Sequence, residues 1–292
     1  MKKLSYSALN IVSHPHSPEN YINMFFDLKK TDLAIKLRGD TYATVVHINR
    51  QDKSIKDGPI LGEIVKYTHI DKDADWYDIT SQEVATEKDL LKIKSLPDHL
   101  KPNMSRFSFI FYPDCHLMIF ESLYEGQGFS PNYAQKLFDS IFNSPKFTDK
   151  YGDVNVTVVP ETDAIDNVLS LSGIKYLRMV TSMPNPDTLK KAEEKVKKRL
   201  SKINAISEER ILKSTREQEL LLDEITKLEA KVAAKNGEVN LKRYNESGKK
   251  EEFNTKEHAL VEDNFYDPAV SSTYDELIRI AENIKKRVLE WI

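Results

Sequence analysis

The sequence is poor in cysteine and glycine, and this scarcity excludes several kinds of architecture. Its 292 residues include one cysteine, Cys115, so no intramolecular disulfide can form. Nine glycines and twelve prolines leave little material for long flexible linkers. Because Cys115 adjoins an apolar strand, we interpret it as a small core side chain and not as a nucleophile.

Long apolar runs are missing as well. No stretch approaches the roughly 20 apolar residues that a membrane-spanning helix requires. The opening MKKLSYSALNIV also lacks the uninterrupted apolar segment of a secretory signal. We therefore expect a soluble cytoplasmic protein without a membrane partner. A formal net charge of -3 excludes a globally basic packaging protein, although one local face can still be basic.

Common catalytic motifs are absent. The sequence has no glycine-rich phosphate loop, no GxSxG and no HExxH. The run Asp71, Asp73 and Asp75 imitates the start of a calcium loop. However, Trp76 stands where that loop needs glycine, and Gln82 stands where it needs a bidentate glutamate. We expect no bound metal and no other cofactor.

Two further candidates for chemistry have simpler structural interpretations. His14 and His16 flank a proline without companion ligands nearby, which fits the end of a loop better than a metal site. Cys115 and His116 are neighbours on a strand, so their side chains point to opposite faces and cannot activate each other. The residues therefore favour a binding protein over an enzyme.

The most informative stretch is residues 104–182, whose pattern predicts the order strand, strand, helix, strand, helix, strand. In its first strand Phe107, Phe109 and Phe111 occupy alternate positions, and a continuous apolar run fills 117–120. Alternation of this kind indicates a strand with at least one buried face.

We expect these four strands to form one sheet. A turn at Pro113 and Asp114 makes the first two strands antiparallel neighbours. The helices predicted near 131–143 and 161–170 would cover one face of that sheet.

The whole chain predicts an α+β fold with a mixed, mostly antiparallel sheet platform and covering helices. We divide it into a β-rich N-terminal lobe at 1–103, the platform at 104–186, and a C-terminal region at 187–292 that combines helices with a β-hairpin.

Local signals mark several helix boundaries. Ser17 before Pro18 predicts a helix start, and so does Ser272 or Thr273 near the end of the chain. Thr215 and Gln218 form a capping-box pattern ahead of an apolar series at Leu221, Ile225, Leu228 and Val232. Residues 205–213 fit either a helix or a strand.

A charged helix predicted from 187 to 203 carries the main candidate binding surface. Asp187 or Thr188 is its expected cap, and its apolar stripe consists of Leu189, Ala192, Val196, Leu200 and Ile203. Its opposite face holds seven basic residues, which are Lys190, Lys191, Lys195, Lys197, Lys198, Arg199 and Lys202.

Two interpretations of this basic face remain open. It can release counterions from a nucleic-acid backbone, and the lack of interleaved aromatic residues then predicts binding without base stacking. Alternatively it is an ordinary solvated helix surface, on which i to i+4 pairs such as Glu194 with Lys198 offset the charge.

Three segments resemble a bacterial family catalogued as domain of unknown function 4747. They are FSFIFYPDCH at 107–116, MPNPD at 183–187 and AAKNGEV at 233–239. The resemblance covers most of the chain, and because its motifs are structural it implies no catalytic residues. In the order of elements from the platform to the final long helix, the chain also resembles the lambda-phage exclusion protein RexA. That likeness implies a dimer that binds DNA without sequence preference and excludes competing phages.

We therefore expect a non-enzymatic cytoplasmic binding protein of bacterial or prophage anti-phage defence. Its expected partners are nucleic acid without sequence preference, or a phage single-stranded-DNA-binding replication protein of the kind on which Tin-type exclusion proteins act, and it is expected to form a homo-oligomer. Two alternatives stay open. One is a metal-dependent nuclease that uses acids such as Asp71, Asp73, Asp114 or Glu161. The other is a structural subunit whose helices within 187–235 mediate oligomerisation.

Overall fold

The computed structural model describes residues 1–14, 17–31, 33–184 and 191–291. Within these residues, helices and strands combine in an α+β fold, as the sequence predicts. The strands are β1 (Lys2–His14), β2 (Ile35–Arg38), β3 (Thr41–Arg50), β4 (Ile60–Thr68), β5 (Tyr77–Asp78), β6 (Glu83–Val84), β7 (Ser105–Tyr112), β8 (Leu117–Tyr124), β9 (Gln127–Gly128), β10 (Asp153–Val158), β11 (Ile174–Ser182), β12 (Ser207–Lys213), β13 (Gly237–Tyr244), β14 (Lys250–Asn254) and β15 (Glu262–Tyr266).

Most of the helices pack against one of two large antiparallel sheets. The helices are α1 (Pro18–Leu28), α2 (Glu87–Lys94), α3 (Pro131–Phe142), α4 (Pro145–Tyr151), α5 (Thr162–Ser170), α6 (Lys191–Lys202), α7 (Glu224–Asn236) and α8 (Thr273–Glu290). No helix in the described part of the chain is both long and apolar enough to cross a membrane.

The first sheet has the strand order β10-β1-β8-β7-β4-β3-β2, with β15 also paired to β1 and β9 to β8. On one face, α1, α3 and α4 cover the predicted phenylalanine row. Phe107, Phe109 and Phe111 are fully buried, and the ring of Phe25 on α1 stacks on Phe111 with centroids 4.2 Å apart. The predicted alternation is therefore confirmed.

The opposite face of this sheet packs against α8. Ile110 and Ile119 lie there with Leu277 and Ile284 in a second core. Burial on both faces explains why the apolar run at 117–120 is continuous instead of alternating.

The predicted four-stranded sheet within 104–182 is wrong. β7, β8 and β10 belong to the first sheet, whereas β11 lies in a second sheet with the order β12-β11-β13-β14. α5, which precedes β11 in the chain, packs in the core of that second sheet. Burial in β11 largely alternates, with Leu177 and Met179 inward, and such a strand suits a sheet that is covered on one face only.

The three-part division of the chain stays a prediction. The strand pairing nevertheless joins all three parts, because β1 hydrogen bonds β8 and β10 from the predicted platform and β15 from the C-terminal region.

Helix starts follow the predicted caps at two of three places. The Ser17 side chain accepts a hydrogen bond from the amide of Asn20, and Ser272 with Asp275 forms a capping box at the start of α8. By contrast, Thr215 accepts from the amide of Gln218 at 3.3 Å without starting a helix.

α7 begins eight residues later than that pattern predicts, at Glu224, with Asp223 as its cap. The predicted apolar stripe is confirmed only at Val232, which is fully buried, whereas Leu221, Ile225 and Leu228 are exposed. The small side chains of Ala230, Ala233 and Ala234 face the second sheet instead, where they allow close packing. The ambiguous residues 205–213 contain the strand β12.

Glu121 is an unusual buried carboxylate at the point where β7 and β8 stop pairing. Its Oε2 atom accepts a hydrogen bond of 2.6 Å from the backbone amide of Ser108, and its Oε1 atom has no hydrogen-bond partner among the described residues. Only 2% of the residue is exposed. Burial raises its pKa to about 7, helped by the carboxylate of Glu63 and opposed by the Ser108 amide.

The raised pKa predicts that stability falls with rising pH. The unfolded carboxyl has an ordinary pKa of 4.5 and the folded one about 7, so the folded state binds more protons between these values. Relative to Glu121→Gln, which keeps an acceptor for Ser108, the wild type should lose up to about 3 kcal/mol of unfolding free energy between pH 4.5 and pH 7.5.

Urea denaturation of both proteins across this pH range measures the difference. Because all other titrating groups are shared, their contributions cancel. Parallel stability curves for the two proteins would contradict the prediction.

Candidate nucleic-acid interface

The apolar side of α6 fixes the helix on its neighbour α7. Val196 and Leu200 are buried against Val232 in a small core of their own. Ile203 was predicted to extend this stripe, but it is 67% exposed because α6 ends at Lys202 and the chain turns toward β12. The predicted cap at Asp187 or Thr188 and the stripe residue Leu189 lie outside the described residues.

A buried carboxylate strengthens this attachment. Glu193 is 2% exposed, and its carboxylate accepts a hydrogen bond of 3.0 Å from the side-chain amide of Asn236. The ammonium group of Lys235, itself mostly buried, lies 3.2 Å from the same carboxylate. α6 is therefore tied to the end of α7 by a charge pair that is shielded from solvent.

Arg199 belongs to a second, more exposed set of ion pairs. Its guanidinium pairs with Glu208 on β12 and lies 3.8 Å from Glu229 on α7, which also pairs with Arg210. Arg199 is therefore occupied by carboxylates of its own chain, so it positions α6 instead of extending the free basic surface.

The outward side of α6 carries four of the predicted lysines in one row. Lys191, Lys195, Lys198 and Lys202 are all exposed, and their spacing of four, three and four residues places them along one helix face. We call this set the lysine row. With a rise of 1.5 Å per residue it extends over about 16 Å.

The remaining predicted lysines contribute less to this surface. Lys197 is half-buried beside the row, and Lys190 lies outside the described residues. Among the described residues, Lys198 is the one member of the row that pairs with an acid, which is Glu194 at 3.0 Å between two exposed side chains. Exposed pairs of this kind are weak, so the row keeps most of its positive field.

Most of the acidic residues named for the nuclease alternative make hydrogen bonds or ion pairs with side chains or backbone of the protein. The side chain of Asp71 accepts a bond from the amide of Asp73, Asp73 pairs with Lys94, and Asp114 pairs with Lys285. Glu161 is the residue before α5. Among the described residues, no group of three or more histidine, cysteine or acidic side chains could hold a metal ion.

Cys115 and His116 lie in the turn between β7 and β8, so the prediction that both are strand residues is wrong. Their side chains nevertheless lie on opposite sides of the first sheet. Cys115 lies in the core beneath α8, where burial raises the pKa of its thiol to about 12, so the thiol is protonated at neutral pH. The ring of His116 lies instead against Tyr21 on α1, with centroids 4.7 Å apart. His14 ends β1, and its partner His16 in the motif lies outside the described residues.

The sequence interpretation missed the buried carboxylates of Glu193 and Glu121. The position of Glu193 in the sequence indicates its burial, because Glu193 and the apolar Val196 are three residues apart and therefore share a helix face. Glu121 likewise keeps the two-residue period of Leu117 and Ile119, both of which point into the core beneath α8.

The sequence matches the model of a known protein family. The sequence model of the family described as Domain of unknown function (DUF4747) matches residues 2–282. The chain belongs to this family. The DUF4747 description names no activity, so it transfers no role to the lysine row. No curated protein matches the chain.

The buried charge pair predicts that Glu193 is required for the docking of α6. Glu193→Ala leaves the Lys235 ammonium and the Asn236 amide without this acceptor, and it should lower the free energy of unfolding by roughly 3 kcal/mol. The matched control is Glu194→Ala on the next residue, whose exposed pair with Lys198 should contribute under about 0.5 kcal/mol. Urea denaturation of the two variants compares them directly. Equal effects would contradict the anchoring role.

Proposed function

We propose that this protein is a non-enzymatic nucleic-acid-binding protein and that the lysine row of α6 contacts the phosphate backbone. The observation that carries the proposal is the division of charge on this helix. Glu193 and Arg199 form ion pairs with other side chains of the protein. The four lysines of the row, Lys191, Lys195, Lys198 and Lys202, face outward.

The spacing within the row suits a backbone of regularly placed phosphates. Successive lysines are separated by about 5 Å along the helix axis, and their flexible side chains can adjust to phosphates of either duplex or single-stranded nucleic acid. No aromatic residue interrupts α6, so this surface offers no platform for base stacking. Binding through it would therefore be independent of sequence.

The biological setting that we propose is exclusion of phages by a bacterial or prophage cytoplasmic protein. Its support is the resemblance in element order to the lambda-phage exclusion protein RexA. In this setting the row contacts phage nucleic acid during replication. A nucleic-acid-bound phage replication protein with an acidic surface is the second candidate partner, since the exposed lysines would also steer such a protein toward α6.

The proposal predicts a steep salt dependence of binding. If all four lysines neutralise phosphates, the slope of log affinity against log salt should include about -3.6 from this row on duplex DNA, or about -0.9 per contact. Lys195→Glu with Lys198→Glu should weaken binding to every sequence and make the slope shallower by roughly two. Fluorescence anisotropy with two unrelated duplexes at several salt concentrations measures both quantities.

The matched control is Lys53→Glu with Lys56→Glu. These lysines lie in the exposed loop between β3 and β4, and their replacement changes the net charge by the same amount. The control should bind almost as the wild type does. Unchanged affinity in the α6 variant, or equal losses in both variants, would remove the lysine row from the interface. Loss of binding only to a replication protein would assign the row to the second candidate.

A further inference from the structure

The segment between β4 and β7 is an extension that packs against little else in the chain. We call residues 71–104 the acidic extension. It contains the two-stranded hairpin of β5 and β6 followed by α2, and no residue of α2 is buried. Polar contacts hold it together, such as the pair of Lys72 with Asp98 at 2.6 Å. The extension is thus folded without a core of its own.

Large apolar side chains remain exposed on this extension. Tyr77 and Val84 are a direct cross-strand pair of the hairpin, so both lie on the same face of it. They are 63% and 68% exposed, and Ile79 in the turn between them is 82% exposed. Leu91 on α2 is also exposed. The hairpin alone thus exposes three large apolar side chains, and such a concentration on a short surface element indicates a protein-binding site.

The extension is also negatively charged. It holds eight acidic residues and five lysines, which give a net charge of -3 with histidine neutral. Three of the lysines pair with acids inside the extension. Five carboxylates make no ion pair with any described residue, and these are Asp71, Asp75, Asp78, Glu83 and Glu87. Most of them lie in or next to the hairpin, so its exposed apolar residues are bordered by negative charge.

The described chain carries a surface of complementary composition at the end of α6. Ile203 and Ile206, in the turn between α6 and β12, are 67% and 58% exposed. The lysine row, which includes Lys198 and Lys202, runs toward this turn. An apolar patch bordered by lysines matches an apolar hairpin bordered by carboxylates in both hydrophobicity and sign of charge.

We infer that a second copy of this chain is the partner of the acidic extension. The hairpin of one copy docks on the turn after α6 of the other, with its carboxylates facing the lysine row. Because every copy has both surfaces, two copies can make the contact reciprocally and close as a two-fold dimer. The contact covers the same lysines that are proposed to bind nucleic acid, so dimerisation and nucleic-acid binding compete.

A charge-exchange experiment on the full chain tests this inference. One variant reverses the hairpin, Asp75→Lys with Glu83→Lys, and the other reverses the row, Lys195→Glu with Lys198→Glu. All four positions are exposed, so circular dichroism should be unchanged. Each variant alone places like charges opposite each other, and its dimer dissociation constant should rise at least about tenfold.

An equal mixture of the two variants should dimerise again. In the mixed pair both contacts join opposite charges, one through the exchanged residues and one through the original residues. Sedimentation velocity over a range of protein concentrations, at low and at high salt, measures the three samples and the wild type. Ile79→Ser is a further variant without a charge change, and it should weaken the wild-type dimer at both salt concentrations.

The inference is overturned if the wild type stays monomeric over the whole concentration range, if neither reversal affects its association, or if the mixture associates no better than its components. The hairpin variant also separates this inference from the nucleic-acid proposal. Its lysine row is intact, so it should keep or improve DNA binding while it loses self-association. Loss of DNA binding confined to the row variant, without any effect on self-association, would leave the nucleic-acid proposal in place and remove the dimer contact.

Discussion

The first sheet depends on the burial of β1 on both faces. This strand hydrogen bonds β8 on one side and both β10 and β15 on the other, so it joins segments that are far apart in the chain. Alternate side chains of a strand point to opposite faces. β1 therefore contributes Leu9 and Ile11 to the core under α1 and α3, and Tyr6 and Ala8 to the core under α8. A polar substitution at these positions would disturb a core directly.

The same dependence on burial gives Glu121 its unusual properties. Glu121 is buried in a sheet that is covered on both faces, so its carboxylate has no access to water. The carboxylate accepts a hydrogen bond from the Ser108 amide at the point where β7 and β8 stop pairing. The hydrogen bond satisfies that amide, while the cost of burying a charge raises the pKa. Glu121 thus supplies an acceptor for the Ser108 amide, and its raised pKa predicts a stability that depends on pH.

The charged residues of α6 fall into two groups, those that pair with neighbouring elements and those that face outward. Glu193 and Arg199 hold the helix to α7 and β12. The lysines of the row face outward, and among the residues that the structure describes their one ion pair is the weak pair of Lys198 with Glu194. The acidic extension shows the opposite pattern, with apolar side chains outside and carboxylates around them. Both surfaces are unusual for a chain that is close to neutral overall. The lysine row lies on a helix that is packed on α7, whereas the acidic extension has no buried residue.

Local features were predictable because they depend on residues close in sequence. The caps at Ser17 and Ser272, the turn between β7 and β8, and the alternating phenylalanines of β7 all follow from backbone geometry and from side-chain spacing. The basic face of α6 was predictable for the same reason. The capping-box pattern at Thr215 was misleading, because the chain after it pairs Leu220 with Ile174 across a backbone hydrogen bond instead of forming a helix.

Residue patterns along the chain were enough to predict the α+β class, the positions of most strands and helices, and the row of lysines on α6. Long-range packing was needed to establish that β11 belongs to the second sheet, that Glu193 faces inward, and that the extension after β4 stays exposed. The reason is physical. Hydrophobic periodicity states which face of an element is apolar, but the element that covers this face is chosen by contacts between residues far apart in the chain.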